Sequence, residues 1–485
     1  MKKFLLIILG LIIIIATLTA CKDDNIFSKP KLDTPSNIRF EGVTLIWDEV
    51  ENADKYIVSV HFNKSSYTVS TEETTFEVSI NEPGDYSVSV KARNNEGDFK
   101  DSEPAGPAVY HLGTGSEDDP IIIYSGYELS NIKMGAKVIR EDGKDVTVPL
   151  YYVLNQDINL NGEEFKPIGT SANRFQGHFD GRGYTISNYK ITVPDGGEHG
   201  FFKGVLNGSI RNLNLKDYTI DIKVNGRYNI GGLAGKVTDS NIFNCTVSGS
   251  INLKTTDSNT QYVGQLIGYL ERYKSEEINR IHGCSAEGSI TVQSNSAYVG
   301  GLIGYNKDCE IVMCSSKGTV SAKNTNSVSG GGFIGYASGT RAVMRNCYTL
   351  TEVSIDCTNN INIGAFIAYA YNCKIYNSYA AGKVENINQS SLKKGFLGLV
   401  SGTTVVVFQD NYYDYEAAGL EQNQDSGTTP SNRDGITSLI TELMKQQSSY
   451  NEWDFEKVWS ISEDANGGYP ELRAYTEGMF DEEEQ

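Results

Sequence analysis

Gly300-Gly-Leu-Ile-Gly-Tyr305 is the fullest of five copies of one phrase that recurs along the middle of the chain. The copies begin at Gly231, Gly264, Gly300, Gly331 and Gly364. A repeat of this kind, rich in glycine and β-branched residues, cannot bury a core by itself and must stack on its neighbours. The phrase therefore predicts an all-β solenoid in which equivalent residues of successive coils lie above one another.

A small residue follows each copy at one matching position, which we call the small slot. The small slot holds Cys245, Cys284, Cys314, Cys347 and Ser378, at intervals of 39, 30, 33 and 31 residues. Stacked coils place equivalent residues about 4.8 Å apart with parallel Cβ bonds, which is a poor geometry for disulfides. Cys309 and Cys373 share a second position, five residues before the slot. We therefore expect ladders of small buried thiols rather than cross-links or a metal site.

Four tyrosines end successive copies of the phrase and should stack into an aromatic ladder. They are Tyr269, Tyr305, Tyr336 and Tyr369. If the ladder faces outward, it offers a sugar or an extended peptide flat apolar surfaces with hydrogen-bond partners nearby. If it faces inward, it packs the core. Because Leu302 and Ile303 are adjacent and both apolar, the period of the strand leaves both orientations open.

The composition of the 485-residue chain excludes several classes of function. The formal net charge is −19, and no basic stripe is available to neutralise phosphates, so we expect no nucleic-acid partner. Glycine and tyrosine are abundant, with 49 and 29 residues, whereas only five histidines are present. This composition favours an all-β surface protein that uses no metal and no cofactor.

The N-terminus has the features of a targeting segment. Met1–Ala20 combines a positively charged start with an apolar run that is short for a membrane span. The run ends in Leu18-Thr-Ala-Cys21, which resembles the lipobox of bacterial lipoproteins. The resemblance implies that Cys21 carries acyl chains that anchor the protein to a membrane. The segment Lys22-Asp-Asp24 resembles the acidic tract of an export signal to the cell surface, and residues 21–33 are expected to form a polar tether.

Residues 34–112 show short alternating strands with regular turn signals, which predicts a β-sandwich. Trp47, Tyr56 and the segment Gly84-Asp-Tyr86 together resemble a fibronectin type III domain. The resemblance implies that Trp47 and Tyr56 pack between the sheets and that Tyr86 pins a corner. It carries no catalytic residue. Residues 113–120, polar and glycine-bearing, are expected to form a linker.

Residues 121–415 contain an ordered series of motifs, from Phe175-Gln-Gly-His-Phe-Asp180 to the five copies of the phrase. This series resembles the GLUG-repeat family of bacterial surface proteins. The resemblance implies a right-handed parallel β-helix. We expect the polar stretches to form loops along one edge of the rod; they include residues 254–259, 292–296 and 322–327.

Residues 416–485 follow the last repeat and are expected to form a small C-terminal cap with an acidic tail. Residues 436–444 have the pattern of an amphipathic helix. The aromatic residues beyond them would seal the open end of the solenoid, because its last coil must be covered.

The repeats offer little that resembles a catalytic motif. GLUG repeats accompany some immunoglobulin A1 metallopeptidases, which use a His-Glu-x-x-His zinc motif. None of the five histidines has that spacing; they are His61, His111, His178, His199 and His282. Asp157 and Asp180 are candidates for an inverting glycosidase pair. However, Asp180 precedes Gly-Arg-Gly, which favours a tight turn over catalysis.

Together these patterns predict a monomeric, lipid-anchored protein of the bacterial cell envelope, exposed at the surface. Its predicted function is adhesin-like binding of extracellular glycans or proteins through the β-helical rod, without catalysis. Two alternatives stay open: a polysaccharide lyase or glycoside hydrolase on the same rod, and a structural component of the envelope.

Overall fold

The computed structural model describes residues 29–139, 145–192, 196–274, 279–357, 359–387, 393–402, 407–424, 434–476 and 479. The predicted signal segment Met1–Ala20, the lipidation site Cys21 and the acidic tail lie outside the described residues. Contacts divide the chain into two compact units, Met1–Leu112 and Gly113–Gln485.

The first unit contains seven strands in two antiparallel sheets. One sheet has the order β1-β2-β5 and the other has the order β4-β3-β6-β7. The strands are β1 (Arg39–Glu41), β2 (Thr44–Ile46), β3 (Lys55–Phe62), β4 (Ser65–Thr71), β5 (Thr75–Glu77), β6 (Gly84–Arg93) and β7 (Ala105–Leu112). Strands β3 and β6 alternate between buried and partly exposed residues, as strands with one face on a core do.

Aromatic side chains link the elements of the first unit. The buried Trp47 ring lies edge-on to Tyr56 at a centroid distance of 5.3 Å. The Tyr86 hydroxyl accepts hydrogen bonds from the backbone N–H groups of Asn81 and Glu82, each at 3.1 Å. These two contacts join β2 to β3 and tie the start of β6 to the preceding turn.

Three parallel sheets run through the second unit, and each coil contributes to all or most of them. The ten-strand sheet comprises Ile121–Ile123, Tyr151–Leu154, His178–Asp180, Ser209–Arg211, Asn241–Phe243, Arg280–His282, Glu310–Val312, Val343–Arg345, Lys374–Tyr376 and Val407–Gln409. The seven-strand sheet comprises Phe202–Leu206, Ala234–Thr238, Ile267–Glu271, Ile303–Lys307, Ile334–Ser338, Ile367–Tyr371 and Leu397–Ser401.

The seventeen-strand sheet takes one or two strands from each coil. It comprises Ile158–Asn159, Thr185–Thr192, Gly197–His199, Asn214–Ile222, Tyr228–Gly231, Thr246–Lys254, Thr260–Gly264, Ser285–Gly300, Ser315–Gly331, Tyr348–Thr349, Glu352–Asp356, Ile361–Gly364, Tyr379–Ala380, Val384–Asn386, Lys393–Lys394, Asn411–Asp414 and Ile436–Leu439. Two antiparallel pairs stand apart from it: Ala136–Ile139 with Asp145–Val148, and Trp459–Ser460 with Glu471–Leu472.

Helix is almost absent from the described part of the chain. The described residues include two short α-helices, Gly126–Ser130 and Thr441–Met444. They also include two 3-10 turns, Gln447–Ser449 and Asn466–Gly468. No helix within the described ranges has the length and apolar character that crossing a membrane requires.

Successive coils stack in register, which confirms the predicted parallel solenoid. Ile267 pairs with Ile303, which pairs in turn with Ile334 and then with Ile367. All four side chains are fully buried. Backbone hydrogen bonding between coils and apolar stacking inside them therefore act on the same residues. The right-handed sense of the coil stays a prediction.

The first glycine of each phrase is required by a close approach of the backbone. A Cβ added at Gly300 would lie 2.1 Å from the carbonyl oxygen of Ile303. At the other four copies the equivalent distance is 2.1–2.3 Å. No side chain fits at that separation, so the recurrence of glycine follows from the tight corner between two sheets.

The small slot is buried, and its thiols are free, as predicted. Each Sγ lies 3.2–3.4 Å from the carbonyl oxygen two residues earlier, and the Ser378 hydroxyl donates to the same position at 2.8 Å. Burial raises the pKa of Cys347 and of Cys373 to about 12. Cys347 and Cys373 therefore stay protonated, and all of these thiols fill the core.

Two local predictions were wrong. Residues 292–296 and 322–327 are not loops; they belong to the continuous strands Ser285–Gly300 and Ser315–Gly331, which pair with each other. An in-register neighbour satisfies the backbone of even a polar stretch. Residues 436–444 are not one helix, because Ile436–Leu439 pairs in parallel with Asn411–Asp414 and only Thr441–Met444 is helical. Sheet pairing thus overrides the helical pattern.

Residues 113–120 differ from the expected linker. They begin the second unit as an ordered turn, in which Gly115 N–H donates to the Asp119 carbonyl at 2.9 Å. The Tyr151 N–H donates to the Gly115 carbonyl at 3.0 Å, which attaches this turn to the ten-strand sheet.

We expected the aromatic residues after the repeats to seal the open end of the solenoid, but they lie elsewhere. Residues 441–476, which we call the flank segment, run along the side of the coils. Trp453 and Trp459 stack at 4.4 Å and lie within 6.2 Å of the Tyr379 ring. Further back, the Tyr475 hydroxyl pairs with His282 Nδ1 at 3.0 Å. The flank segment covers tyrosines of several coils, such as Tyr379. Burial of these rings, which would otherwise face water, stabilises the contact.

Replacing Gly300 with alanine tests the corner. We expect Gly300→Ala to destabilise the solenoid by about 3 kcal/mol, because the added Cβ meets backbone that cannot move aside. The midpoint of urea unfolding measures this loss. Thr291→Ala, at an exposed position of the same strand, should change stability by less than about 0.5 kcal/mol. Equal effects of the two substitutions would contradict the steric origin of the glycine.

Candidate functional site

The tyrosine ladder faces outward. Tyr269, Tyr305, Tyr336 and Tyr369 pair in register across four strands of the seven-strand sheet. Each ring is partly exposed, whereas the next residue of the first strand, Leu270, is fully buried. The structure therefore places the ladder on the surface of the solenoid and not in its core.

Two further tyrosines join this ladder. Tyr262 and Tyr298 form a matching pair on the seventeen-strand sheet, and Tyr262 lies edge-on to Tyr269 at 5.1 Å. Tyr298 lies 5.1 Å from Tyr336. We call the six residues the tyrosine cluster: Tyr262, Tyr269, Tyr298, Tyr305, Tyr336 and Tyr369.

The rings of the ladder cover one another. Successive ring centroids are 4.5–4.9 Å apart. The planes of Tyr336 and Tyr369 are nearly parallel, at an angle of 6°, whereas the other two pairs are tilted by 54° and 46°. Each ring is therefore partly covered by the next and partly exposed. The flat apolar surface that an outward-facing ladder would offer is therefore reduced to a strip along the stacked rings.

Hydroxyl groups line this strip. The Tyr305 hydroxyl pairs with Ser338 Oγ at 2.9 Å, and the Tyr369 hydroxyl pairs with Ser401 Oγ at 2.8 Å. Burial raises the pKa of Tyr305 and of Tyr336, so that these hydroxyls keep their protons and can donate hydrogen bonds. The cluster combines apolar contact area with fixed polar groups.

A cation closes one end of the ladder. Lys236 is the in-register partner of Tyr269 on the preceding coil, and its Nζ lies 4.9 Å from the centroid of the Tyr269 ring. The same Nζ lies 2.7 Å from Glu271 Oε1. Burial, followed by the negative charge of Glu271, raises the pKa of Tyr269. The ammonium thus covers the outer face of the first ring.

A second concave site lies on the early coils, and we call it the first-coils pocket. It encloses about 400 Å³ above three neighbouring strands of the ten-strand sheet, with the turn at 114–119 as one wall. Tyr151, His178 and Ser209 are consecutive partners in register. Two residues further along the same strands, Asp180 pairs in register with Arg211.

The polar groups of the first-coils pocket are connected. His178 Nδ1 lies 2.7 Å from Ser209 Oγ, and the His178 ring lies 4.4 Å from the Tyr151 ring. Arg211 Nε donates to Asp180 Oδ2 at 2.9 Å. Burial, followed by the negative charge of Glu117, raises the pKa of Tyr151. The pocket thus holds aromatic rings, carboxylates and a guanidinium side by side.

Asp157 and Asp180, the candidate glycosidase pair, both accept hydrogen bonds from backbone N–H groups. Asp180 Oδ1 accepts from the backbone N–H of Arg182 at 2.8 Å and from Asn212 Nδ2 at 3.1 Å. Asp157 Oδ1 accepts from the Thr185 N–H at 2.8 Å. Both carboxylates hold turns, which confirms the turn interpretation of Asp180.

Our reasoning from the sequence missed Tyr151, Ser209 and Arg211 as members of one site. The five-copy phrase starts only at Gly231, so the earlier coils offered no alignment that would place Tyr151, His178 and Ser209 in one row. In the part of the chain that the structure describes, no three metal-ligating side chains converge.

Comparisons with known proteins find one known motif in the solenoid and two relatives of part of the chain. The GLUG motif matches residues 226–252 and 295–321. The "Putative Gly-rich membrane protein" of Evansella cellulosilytica is 33% identical over 142 residues, which are 28% of this chain and 15% of the relative. Halomucin of Haloquadratum walsbyi is 28% identical over 151 residues, which are 29% of this chain and 2% of the relative. The chain is therefore an all-β protein whose solenoid carries the GLUG motif.

Two solved structures are similar over most of the chain. An IgA1 protease is 13% identical at a TM-score of 0.39, with 93% of this chain and 33% of the protease covered. Pectate lyase Pel3 of Pectobacterium carotovorum is 11% identical at a TM-score of 0.16, with 85% of this chain and all of the lyase covered. At these scores neither likeness bears on the function of this chain.

The protonation of His178 tests the environment of the first-coils pocket. Burial lowers the pKa of His178 below its ordinary value near 6.5. In the unfolded chain the imidazole binds its proton near pH 6.5, so the folded state should lose stability as the pH falls below that value. An NMR titration of the His178 Cε1–H signal, assigned with His178→Gln, measures the shift. A pKa at or above the ordinary value would contradict the burial of the ring.

Proposed function

We propose that this chain is a non-catalytic bacterial cell-surface protein that binds extracellular glycans or proteins through the tyrosine cluster. The observation that carries the proposal is a row of partly exposed rings held on a rigid parallel sheet. Tyrosine provides a large amphipathic contact area with few rotatable bonds, and it is enriched in binding surfaces. A cluster of six such residues, shared by two sheets, goes beyond what a solvated surface needs.

The tyrosine cluster is ordered before any ligand arrives. Tyr305 contacts Tyr269 on one side and Tyr336 on the other, and its hydroxyl is held by Ser338. Side chains that are already fixed lose little conformational entropy on binding. Because the cluster extends across successive coils, it suits an extended polymer that lies along the direction of coil stacking.

The names of the relatives support a place in the cell envelope. One relative is described as a Gly-rich membrane protein and the other as halomucin, and neither name denotes an enzyme. We propose that Met1–Ala20 directs export and is removed, and that Cys21 carries acyl chains as the membrane anchor. Two or more chains give stable attachment where a single chain would not.

We also propose that residues 34–112 form a fibronectin type III domain that serves as a spacer. The strand orders β1-β2-β5 and β4-β3-β6-β7 are those of a seven-stranded sandwich. The contact between Trp47 and Tyr56 and the hydrogen bonds of Tyr86 support the same assignment.

Removing two rings tests the binding surface. We expect Tyr305→Ala combined with Tyr336→Ala to lower binding to the polysaccharides or matrix proteins captured on an array by at least tenfold, because the centre of the strip is lost. The double substitution with phenylalanine keeps the stacking and removes only the hydroxyls, so binding should fall by a smaller factor. Thermal unfolding of each variant separates lost contact from lost fold.

Tyr273→Ala is the matched control, since this tyrosine is 67% exposed and lies outside the cluster. It should leave binding unchanged. Unchanged binding in the Tyr305 and Tyr336 double variant, or an array on which the wild type captures nothing, would overturn the proposal and favour a structural envelope component.

Substitution of Cys21 tests the anchor. In cells that produce Cys21→Ala, we expect the protein to leave the membrane fraction and to lose incorporation of labelled palmitate, because no thiol remains to take the lipid. Cys373→Ala, which removes a buried thiol, should retain both properties. Membrane retention of Cys21→Ala would contradict lipid anchoring at this residue.

A further inference from the structure

The first-coils pocket plays no part in the binding strip proposed above. It lies on the ten-strand sheet, whereas the tyrosine cluster lies on the other two sheets. Its outer wall is a fixed turn, in which the N–H groups of Thr114 and Gly115 donate to the side chain and the carbonyl of Asp119, each at 2.9 Å. A concave site with an ordered wall is typical of a small-molecule binding site.

The chemistry inside the pocket is mixed. Tyr151 and His178 present adjoining rings, and Ser209 adds a hydroxyl. Carboxylates come from the turn at 117–118, and guanidinium groups come from Arg182 and Arg211. Carboxylates accept hydrogen bonds and guanidiniums donate them, so donors and acceptors both line one cavity.

The charges in the pocket almost cancel. Three carboxylates and two guanidinium groups line it, and desolvation keeps His178 neutral at neutral pH. Asp180 is already committed to Arg211 and to its own turn. A site without an excess of positive charge has little to offer an anion, whereas pairs of acceptors and donors suit vicinal hydroxyl groups.

We propose that the first-coils pocket binds one unit of a neutral sugar, either a free monosaccharide or the end of a glycan chain. The cavity of about 400 Å³ falls in the range of small-molecule sites. The Tyr151 and His178 rings pack against the apolar face of the sugar. Glu117 accepts hydrogen bonds from its hydroxyls, and the guanidinium of Arg182 donates to its oxygens.

Saturation-transfer NMR on the mature chain with Cys21→Ala tests this assignment, with D-glucose, D-galactose and D-mannose as separate probes and D-glucuronate as the anionic counterpart. We expect at least one neutral sugar to receive saturation. Glu117→Gln should weaken its binding about tenfold, because a charge-assisted hydrogen bond is lost. Tyr151→Leu should abolish the signal, because the ring that packs on the sugar is gone.

Two controls locate the binding. Glu287→Gln removes an exposed carboxylate from another part of the solenoid, and Tyr336→Ala alters the tyrosine cluster; neither should change the monosaccharide signal. Glu117 lies in an exposed turn, so Glu117→Gln should leave the fold intact. This variant therefore tests sugar binding even if Tyr151→Leu does not fold.

Three outcomes would overturn the assignment: no neutral sugar is saturated, only glucuronate is saturated, or the signal is the same in Glu117→Gln and the wild type. Each outcome leaves the proposed binding strip untouched, because capture on the polysaccharide and protein array depends on Tyr305 and Tyr336. Loss of capture in that pair with intact monosaccharide binding, or the reverse, distinguishes the two sites.

Discussion

In-register hydrogen bonding between successive coils is the constraint on which the rest of this structure depends. It forces equivalent residues to stack about 4.8 Å apart. The same rule that aligns Ile267, Ile303 and Ile334 in the core also aligns the tyrosines outside it. Core and candidate binding strip are therefore two faces of one backbone ladder. A change that shifts the register of one coil displaces residues on both faces.

Reasoning from the sequence captured the stacking because its causes recur visibly. The glycine that begins each phrase is repeated since the corner has no room for a Cβ, and the small slot is repeated since buried space there is limited. The orientation of the tyrosine ladder was beyond such reasoning. Tyr269 lies between two buried residues, so the sequence pattern does not show that its side chain points outward; the folded structure does.

The features that could not be predicted depend on contacts distant in sequence. Tyr475 meets His282 across 193 residues, and nothing in the local pattern of either residue indicates the other. The first-coils pocket was missed for a related reason. Tyr151, His178 and Ser209 share one row but differ in type, so the row shows no repeat. Met313 is a further case: it adopts a left-handed backbone, where the equivalent positions of other coils hold asparagine, glycine or aspartate. It is buried in the cluster beneath the flank segment.

The path of the flank segment has a mechanical consequence. A bare solenoid pulled from its last coil yields one rung at a time, because each rung is held only by its neighbour. Here the terminal stretch is fastened to the edges of several coils, from Tyr412 and Tyr379 back to His282. Tension on that end acts on the contacts of the flank segment with several coils before it reaches the last rung. The protein thereby gains resistance to stepwise unravelling under force.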